Sequence, residues 1–397
     1  MKTPILLLIA AISLGTFAAP AKESWKVHAI DPADPANHLA GADGIRVGDV
    51  NHDGLPDLVT GWEEGKAIRI CLHPGKEKVR SPWKAITVGK VQSAEDAVFA
   101  DLDGDGQLDV VTATEGKKRT VFVHWSPAAE ELEDESKWTT AAFPGTKEKQ
   151  WWMYSVPYDL DHDGDTDLLV GSKNAGGSIT WLKNPGKDKA RQLDLWEYQK
   201  ICDAGWIMSM RIFAQGEKTF LLYSDRKGER SGIYLLPLLN ESPWLGEPVL
   251  IGAAGEEVMF LDIAHLDDDK RTDIVAAIRP RSIRVFYQPE NPLQVWEDMA
   301  DLDPLPKQFG DAKAVRVGLL DEDPIPDFAI TCERANGRLK GVLWSNVFSE
   351  FTAVSNATGI KYDRIELIDL DGDGDLDLLT CEERAGLGVI WFENPLH

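Results

Sequence analysis

Apolar runs of about four to seven residues recur along the chain, bounded by polar turns rich in Gly, Asn, Asp and Pro. That spacing predicts short β-strands; helical periodicity is nearly absent. Only the segment 126–137 (SPAAEELEDESK) has the composition of a helical turn, set in a loop between strands. The pattern then repeats. An apolar run leads into an acidic turn and a second apolar run. A polar turn follows, then a third run that often closes on aromatic residues and Asn-Pro, and a fourth that carries Trp in most copies. The acidic turn reads DVNHDGLPDLV from Asp49, DLDGDGQLDVV from Asp101, DLDHDGDTDLLV from Asp159 and DLDGDGDLDLL from Asp369. Worn copies begin at His265 (HLDDDKRTDIV) and Leu319 (LLDEDPIPDFAI), and RIFAQGEKTFLLY from Arg211 keeps the flanking strands without the acids. The phases 49, 101, 159, 211, 265, 319 and 369 make seven units, each of about 50 residues, a period of propeller blades.

The expected fold is therefore all-β: a seven-bladed β-propeller of four-stranded antiparallel sheets. The last unit stops after its third strand, at 391–395, whereas 24–30 (SWKVHAI) has the fourth-strand pattern and no unit before it. Pairing the two lets the N-terminal strand complete blade 7, closes the ring and protects edges that an open array would leave exposed. Six or eight blades are the alternatives. Residues 24–397 are read as this one domain.

In DLDGDGQLD, Asp101, Asp103 and Asp105 alternate, Gly106 permits a sharp turn, and Asp109 closes it. Carboxylates gathered this closely need a counter-charge to stay ionised. Oxygen-only donors in a flexible turn suit Ca²⁺ better than zinc or strictly octahedral Mg²⁺. An EF-hand fits poorly, because its loop closes later, on a Glu, between helices. A plain Asp-Gly hairpin explains one copy but not its recurrence at one phase.

On these residues the chain resembles the FG-GAP/VCBS repeat propellers, the calcium-loop family of integrin α-subunit heads and many secreted bacterial proteins. The resemblance implies about four structural Ca²⁺ sites. Their ligands would be Asp49, Asn51, Asp53 and Asp57; Asp101, Asp103, Asp105 and Asp109; Asp159, Asp161, Asp163 and Asp167; and Asp369, Asp371, Asp373 and Asp377. Weaker sets are Asp267, Asp269 and Asp273, with His265 first and Lys270 for Gly, and Asp321, Asp323 and Asp327, with Leu319 first and Pro324 for Gly. Unit 4 should bind none.

The acidic turns join first to second strands, so they share one face. First-strand starts and the turns after second strands share the other, around the central channel. Register places Asp43, Asp96, Asp363 and Lys313 there as candidates for acid–base work, with Asp43 and Asp96 read as a pair. It also places Trp62, Glu63, Trp152, Lys173, Trp206, Arg226, Arg279, Arg334, Tyr362 and Glu382 there as ligand-binding candidates. Aromatic faces with carboxylates and guanidinium groups suit a polyhydroxylated or anionic ligand. Packing between blades is the structural alternative for the aromatics. Unit 4 argues for selection on this face: it lost its acids yet keeps AGWIMSM and SDRKGER at the opposite end.

Composition narrows the functional classes. The 397 residues are 43% hydrophobic, enough for a large core, and Asp+Glu outnumber Lys+Arg 66 to 42 for a net charge of −24. Such a surface opposes nucleic acid and anionic lipid. Residues 1–21 read as a Sec signal, with Lys2, the apolar run 5–12 and small residues before a cut after Ala21 or Ala18; a membrane anchor is the alternative. The mature chain is thus expected to be secreted or periplasmic, without membrane insertion, and monomeric. Cys71, Cys202, Cys332 and Cys381 form no CxxC and are expected as free, mostly buried thiols. His38, His73 and His124 are read as surface or core residues. No nucleophile elbow, HExxH or P-loop occurs. The favoured reading is a non-catalytic module that binds a glycan or an extracellular protein. The alternative is a carbohydrate lyase, dehydratase or isomerase using the same funnel.

Overall fold

The computed structural model describes residues 24–299, 304–335, 339–346 and 350–396. The export segment expected at 1–21 lies outside the described residues. Among them, the chain forms seven four-stranded antiparallel sheets. The first strands are Ala42–Gly48, Ala94–Ala100, Trp151–Tyr158, Ile207–Gln215, Val258–Ala264, Asp311–Gly318 and Tyr362–Ile368. Each packs against the first strand of the next blade, and the seventh returns to the first. The ring closes as the orphan strand predicted. Lys26–Asp31 pairs with Gly388–Glu393 as the outermost strand of blade 7, Val27 opposite Phe392 and Ala29 opposite Ile390. His28 stacks on Trp391 with centroids 4.7 Å apart and bonds Glu393 at 2.7 Å.

Burial explains why some strands read clearly. The second strand of each blade has a sheet neighbour on either side and another blade against each face. Asp57–Trp62, Asp109–Thr114 and Asp273–Ile278 are buried throughout, so they read as continuous apolar runs. Close packing limits side-chain size there. A Cβ on Gly61 would come within 2.8 Å of Ala94, and one on Gly171 within 2.5 Å of Ile207, both on the next blade. Ala113, Ala277 and Cys381 hold the same place in their strands, which accounts for one thiol by size alone. The cysteines are free, and all but Cys202 are buried. The outer strand Glu197–Asp203 is mostly exposed and correspondingly polar.

Segment 126–137 holds a single 3₁₀ turn at Ala129–Glu131. Four more lie at Pro35–Asn37, Pro144–Thr146, Lys187–Lys189 and Leu193–Leu195. Turns this short leave no periodicity to read. No helix among the described residues is long and apolar enough to cross a membrane. The recurring Trp before the fourth strand folds its loop back on itself. Indole Nε1–H groups of Trp83, Trp138, Trp196 and Trp296 donate to the carbonyls of Val79, Leu132, Ala190 and Pro292 at 2.8–3.0 Å.

Adjacent blades are joined by the Asn of the Asn-Pro motif. Asn184 in blade 3 donates from Nδ2 to Thr166 O in its own turn (3.0 Å) and to Leu102 O in the turn of blade 2 (2.8 Å). Asn394 does the same between blades 7 and 6, reaching Leu376 O at 3.1 Å and Leu320 O at 3.2 Å. His73 takes this role across the closure, with Nε2 2.9 Å from Leu370 O. Asn184→Ala should leave two inter-strand carbonyls short of a donor and cost about 1–3 kcal/mol, read as a lower midpoint in chemical denaturation with an unchanged slope.

Candidate functional site

One face carries the acidic turns. The first acid gathers backbone N–H groups: Asp101 accepts from Gly104 (2.8 Å) and Gly106 (3.1 Å), Asp159 from Asp163 and Gly164, and Asp49 from Asp53 and Gly54. The ninth-position acid, expected as a ligand, also acts as a staple. Asp109 is fully buried; one oxygen accepts Leu102 N–H (3.3 Å) inside the turn and the other Ser126 N–H (2.9 Å) beyond the third strand. Asp57, Asp167, Asp273 and Asp377 repeat both bonds. Burial, opposed by those N–H groups, pushes Asp109 and Asp167 up to about 7 and Asp377 to about 8.

In three turns the acids converge enough to hold a metal ion: Asp101, Asp103 and Asp105; Asp159, Asp161 and Asp167; and Asp369, Asp371 and Asp377, with oxygens within 4.8 Å of one another. Asp161 Oδ1 is buried without a hydrogen-bond partner, as a metal-directed oxygen would be. The turns of blades 1, 5 and 6 form no such acidic group among the described residues. In blade 1, Asn51 donates to Asp53 at 3.0 Å. In blade 5, His265 Nδ1 lies 2.8 Å from Arg271 O, and Arg271 pairs with Asp269. In blade 6, Asp321 and Asp323 order the turn through backbone N–H groups, and Asp327 keeps its bond to Leu320 N–H. Blade 4 replaces the turn by a tight hairpin around Gly216 (φ +60°). The chain also brings its own cations. Lys183 contacts Asp161, and Arg191 and Arg80 reach from neighbouring blades to Asp103 and Asp371.

The opposite face opens into a funnel of about 460 Å³ on the channel axis. Eight acidic and eight basic side chains line it, equal numbers in a chain of net charge −24. Of the sequence candidates, Asp43, Asp96, Asp363, Lys313, Glu63, Lys173, Trp206, Arg226, Arg279 and Arg334 come together there. Four do not. Trp62 and Trp152 are in the core, Trp152 donating to Thr146 O at 3.1 Å. Tyr362 is also core, pressed on Gly341 and Gly359. Glu382 is buried and accepts the N–H groups of Ile360 and Lys361 (3.0 Å each) and Ala385, which holds the loop before blade 7. Register along the chain does not say which side chains of a strand start face the channel. In each blade the pairing of first and second strands is broken by a bulge near the start, as between Trp152 and Tyr154 or Tyr362 and Ile365, and a bulge reverses the side-chain parity beyond it. Tyr154, Phe260 and Arg364, at or next to these bulges, and Lys361, just before the first strand of blade 7, line the funnel unpredicted.

Asp96 is not an acid–base partner of Asp43. It forms a bidentate pair with Arg46 (2.9 and 3.0 Å) and accepts Ser155 N–H at 2.8 Å. It belongs to a belt of contacts below the funnel that draws one or more residues from every blade. Arg46 lies 4.1 Å from the Tyr154 ring centroid, and Arg364 bonds the Tyr154 hydroxyl and Glu366. Arg316 bonds Glu366 twice at 3.0 Å and approaches Asp262, which Arg211 also contacts. Burial alone would raise the Glu366 carboxyl; Arg316 and Arg364 outweigh it and hold the group well below the usual range.

Asp43 pairs instead with Asp363. Carboxylate oxygens of the two lie within 4.8 Å of each other, with Lys361 4.0 Å from Asp43 and Lys313 3.5 Å from Asp363. Burial pushes Asp43 well up, Lys361 opposing and Asp363 reinforcing. For Asp363 burial is outweighed by Lys313, Asp43 and Lys361, which hold it down. The funnel thus pushes two neighbouring carboxyls in opposite directions. Trp206 offers little free ring: Lys173, Arg226 and Lys227 crowd it at 4.5–4.6 Å.

Burial raises Glu95 to about 8, Lys173 opposing and Glu115 and Glu63 reinforcing. A carboxyl raised in the fold stabilises fully below its ordinary value of 4.5, and that contribution is lost as pH rises through about 8. Glu95→Gln should therefore gain stability over the parent between pH 5 and 9, at a limiting slope of about 1.4 kcal/mol per pH unit, measured by thermal melting across that range.

Residues 49–112 match the FG-GAP-like repeat family. No curated protein matches the chain. Among solved structures, it is similar to BBS1N crystallised in complex with ARL6DN and soaked with mercury, at 10% identity and TM-score 0.56, covering 94% of this chain and 98% of that one. The lead-soaked crystal of the same complex aligns at 12% identity and TM-score 0.51, over 94% and 97%. At such identity the likeness speaks for the fold alone. The repeat match at residues 49–112 and the closed ring of seven four-stranded blades together support an FG-GAP repeat β-propeller.

Proposed function

We propose that this propeller is an exported, calcium-stabilised module that binds a glycan or an extracellular protein segment in the funnel opposite its acidic turns. The funnel carries the reading: one axial cavity gathers charged side chains from all seven blades, in a chain whose family suggests an interaction role. Recognition there rests on charge rather than on stacking, because the funnel's aromatic rings are faced by cations of the chain itself. In the turns of blades 2, 3 and 7, Ca²⁺ would bind the converged carboxylates and tie first strands to second strands. The turn of blade 1 would contribute through Asp49, Asn51 and Asp53. The close Asp43–Asp363 pair between Lys361 and Lys313 favours a second reading, acid–base catalysis on a bound sugar.

Chelation with EDTA at neutral pH should lower the melting temperature by roughly 5 °C or more, and excess Ca²⁺ should restore it; an unchanged melt removes calcium from the proposal. Titration calorimetry with acidic oligosaccharides and basic or acidic peptides should show saturable binding. Replacing Arg226 and Arg279 by Ala should weaken it at least ~10-fold, whereas Lys183→Gln on the other face should leave it unchanged. Product release from a bound oligosaccharide, lost in Asp43→Asn, would establish the catalytic reading instead.

A further inference from the structure

A second cavity, of about 1000 Å³, opens between the outer parts of blades 1 and 2. Its walls come from the loop before the first strand of blade 1, the turn after the second strand of that blade, the link to blade 2 and the turn after the second strand of blade 2. The two turns and the link also border the funnel, and they sort their charges between the two cavities. Glu63, Glu95 and Glu115 line the funnel, whereas Lys66, Lys90 and Lys118, only a few residues away along the chain, line the groove. These lysines are exposed, and among the described residues none of the three ammonium groups forms an ion pair or a hydrogen bond. Both carboxylates of the groove lining are already engaged. Asp31 is buried and holds Arg69 at 2.7 and 3.2 Å, and Asp34 accepts from the Asn37 side chain at 2.6 Å. Glu64, in the turn of Lys66, stands outside the lining.

Three unpaired ammonium groups around one groove are a local excess of positive charge in a chain of net charge −24. The same lining offers neutral hydrogen-bonding side chains, Asn37, Thr87, Gln92 and Thr140, together with half-buried Leu39 and Phe122. We propose that this groove binds an anionic oligosaccharide. Its sulfate or carboxylate groups meet Lys66, Lys90 and Lys118, its hydroxyls meet the neutral polar side chains, and its C–H faces rest on Leu39 and Phe122. Lysines carry point charges on flexible stems, so the site reads the sign and spacing of the anions rather than a bidentate geometry. A neutral sugar would leave the ammonium groups without partners. An acidic peptide suits the groove less well, because it cannot add as a strand to the middle of Lys84–Gly89: Glu135 already accepts Thr87 N–H there at 2.8 Å. The site is distinct from the funnel and holds whatever the funnel binds.

The test is titration calorimetry of the whole propeller at neutral pH and low salt with four probes: a heparin tetrasaccharide for sulfate, tetragalacturonic acid for carboxylate, cellotetraose as the neutral sugar and tetraglutamate as the acidic peptide. At least one anionic sugar should bind ~10-fold or more tighter than cellotetraose and tetraglutamate, and should weaken as salt is added; the tighter of the two names the anion. Lys66→Gln, Lys90→Gln and Lys118→Gln should each weaken that sugar by roughly 3-fold or more without changing the melting temperature. Lys189→Gln, which removes an equal charge from an exposed site on the opposite face, should leave it unchanged. Tetraglutamate binding as tightly, and lost in the same variants, would overturn the sugar in favour of a peptide. Anionic sugar binding that survives all three variants but is lost in Arg226→Ala would put the anion in the funnel and overturn the groove. No saturation by either anionic sugar at millimolar concentration would overturn it as well.

Discussion

The ninth-position aspartate is the constraint on which each acid-bearing blade depends. It is buried at the head of the second strand and holds two backbone N–H groups, one in the turn and one after the third strand. The aspartate persists in blades 5 and 6, where the rest of the turn is worn: Asp273 keeps both bonds and Asp327 the one to Leu320 N–H. Where both bonds form, they lock three strands in register, whatever the turn binds. Buried acceptors of this kind are worth most where no water can replace a lost donor.

Above that staple the blades are linked by small, repeated devices. Asn184, Asn394 and His73 reach to the preceding blade's turn, and Arg191 and Arg80 follow the same path to its acids. The arginines and Lys183 lend positive charge to acids of these turns. The turns therefore have partial neutralisation built in, and any ion that binds them works against a local counter-charge.

Much of the architecture was legible because it is written seven times. Period, strand count and ring closure follow from a repeated phase and one orphan strand, and each copy checks the others. The funnel was less legible. Charged candidates such as Asp363 near a first-strand start, and Lys173 and Arg226 at the ends of second strands, are placed by register because a charge there has few places to go but the channel. Aromatic candidates failed where a bulge reversed the alternation, sending Trp152 and Tyr362 into the core and Tyr154 into the channel. A bulge adds one residue without a distinctive type, so a single chain carries no mark of it. Glu382 failed for another reason: backbone N–H groups claim it, and a carboxylate bound to N–H groups looks in sequence like any other acid.

The funnel's equal numbers of acids and bases, eight of each, have a kinetic consequence, because they lie inside a molecule of net charge −24. At distances beyond about 10 Å, an approaching solute senses the whole molecule rather than the cavity. Anions are slowed on their way in, and added salt speeds them; a solute with no net charge crosses the same field unhindered and meets strong local charge only at arrival. Selection among solutes thus begins in the diffusion layer, before any side chain has been touched.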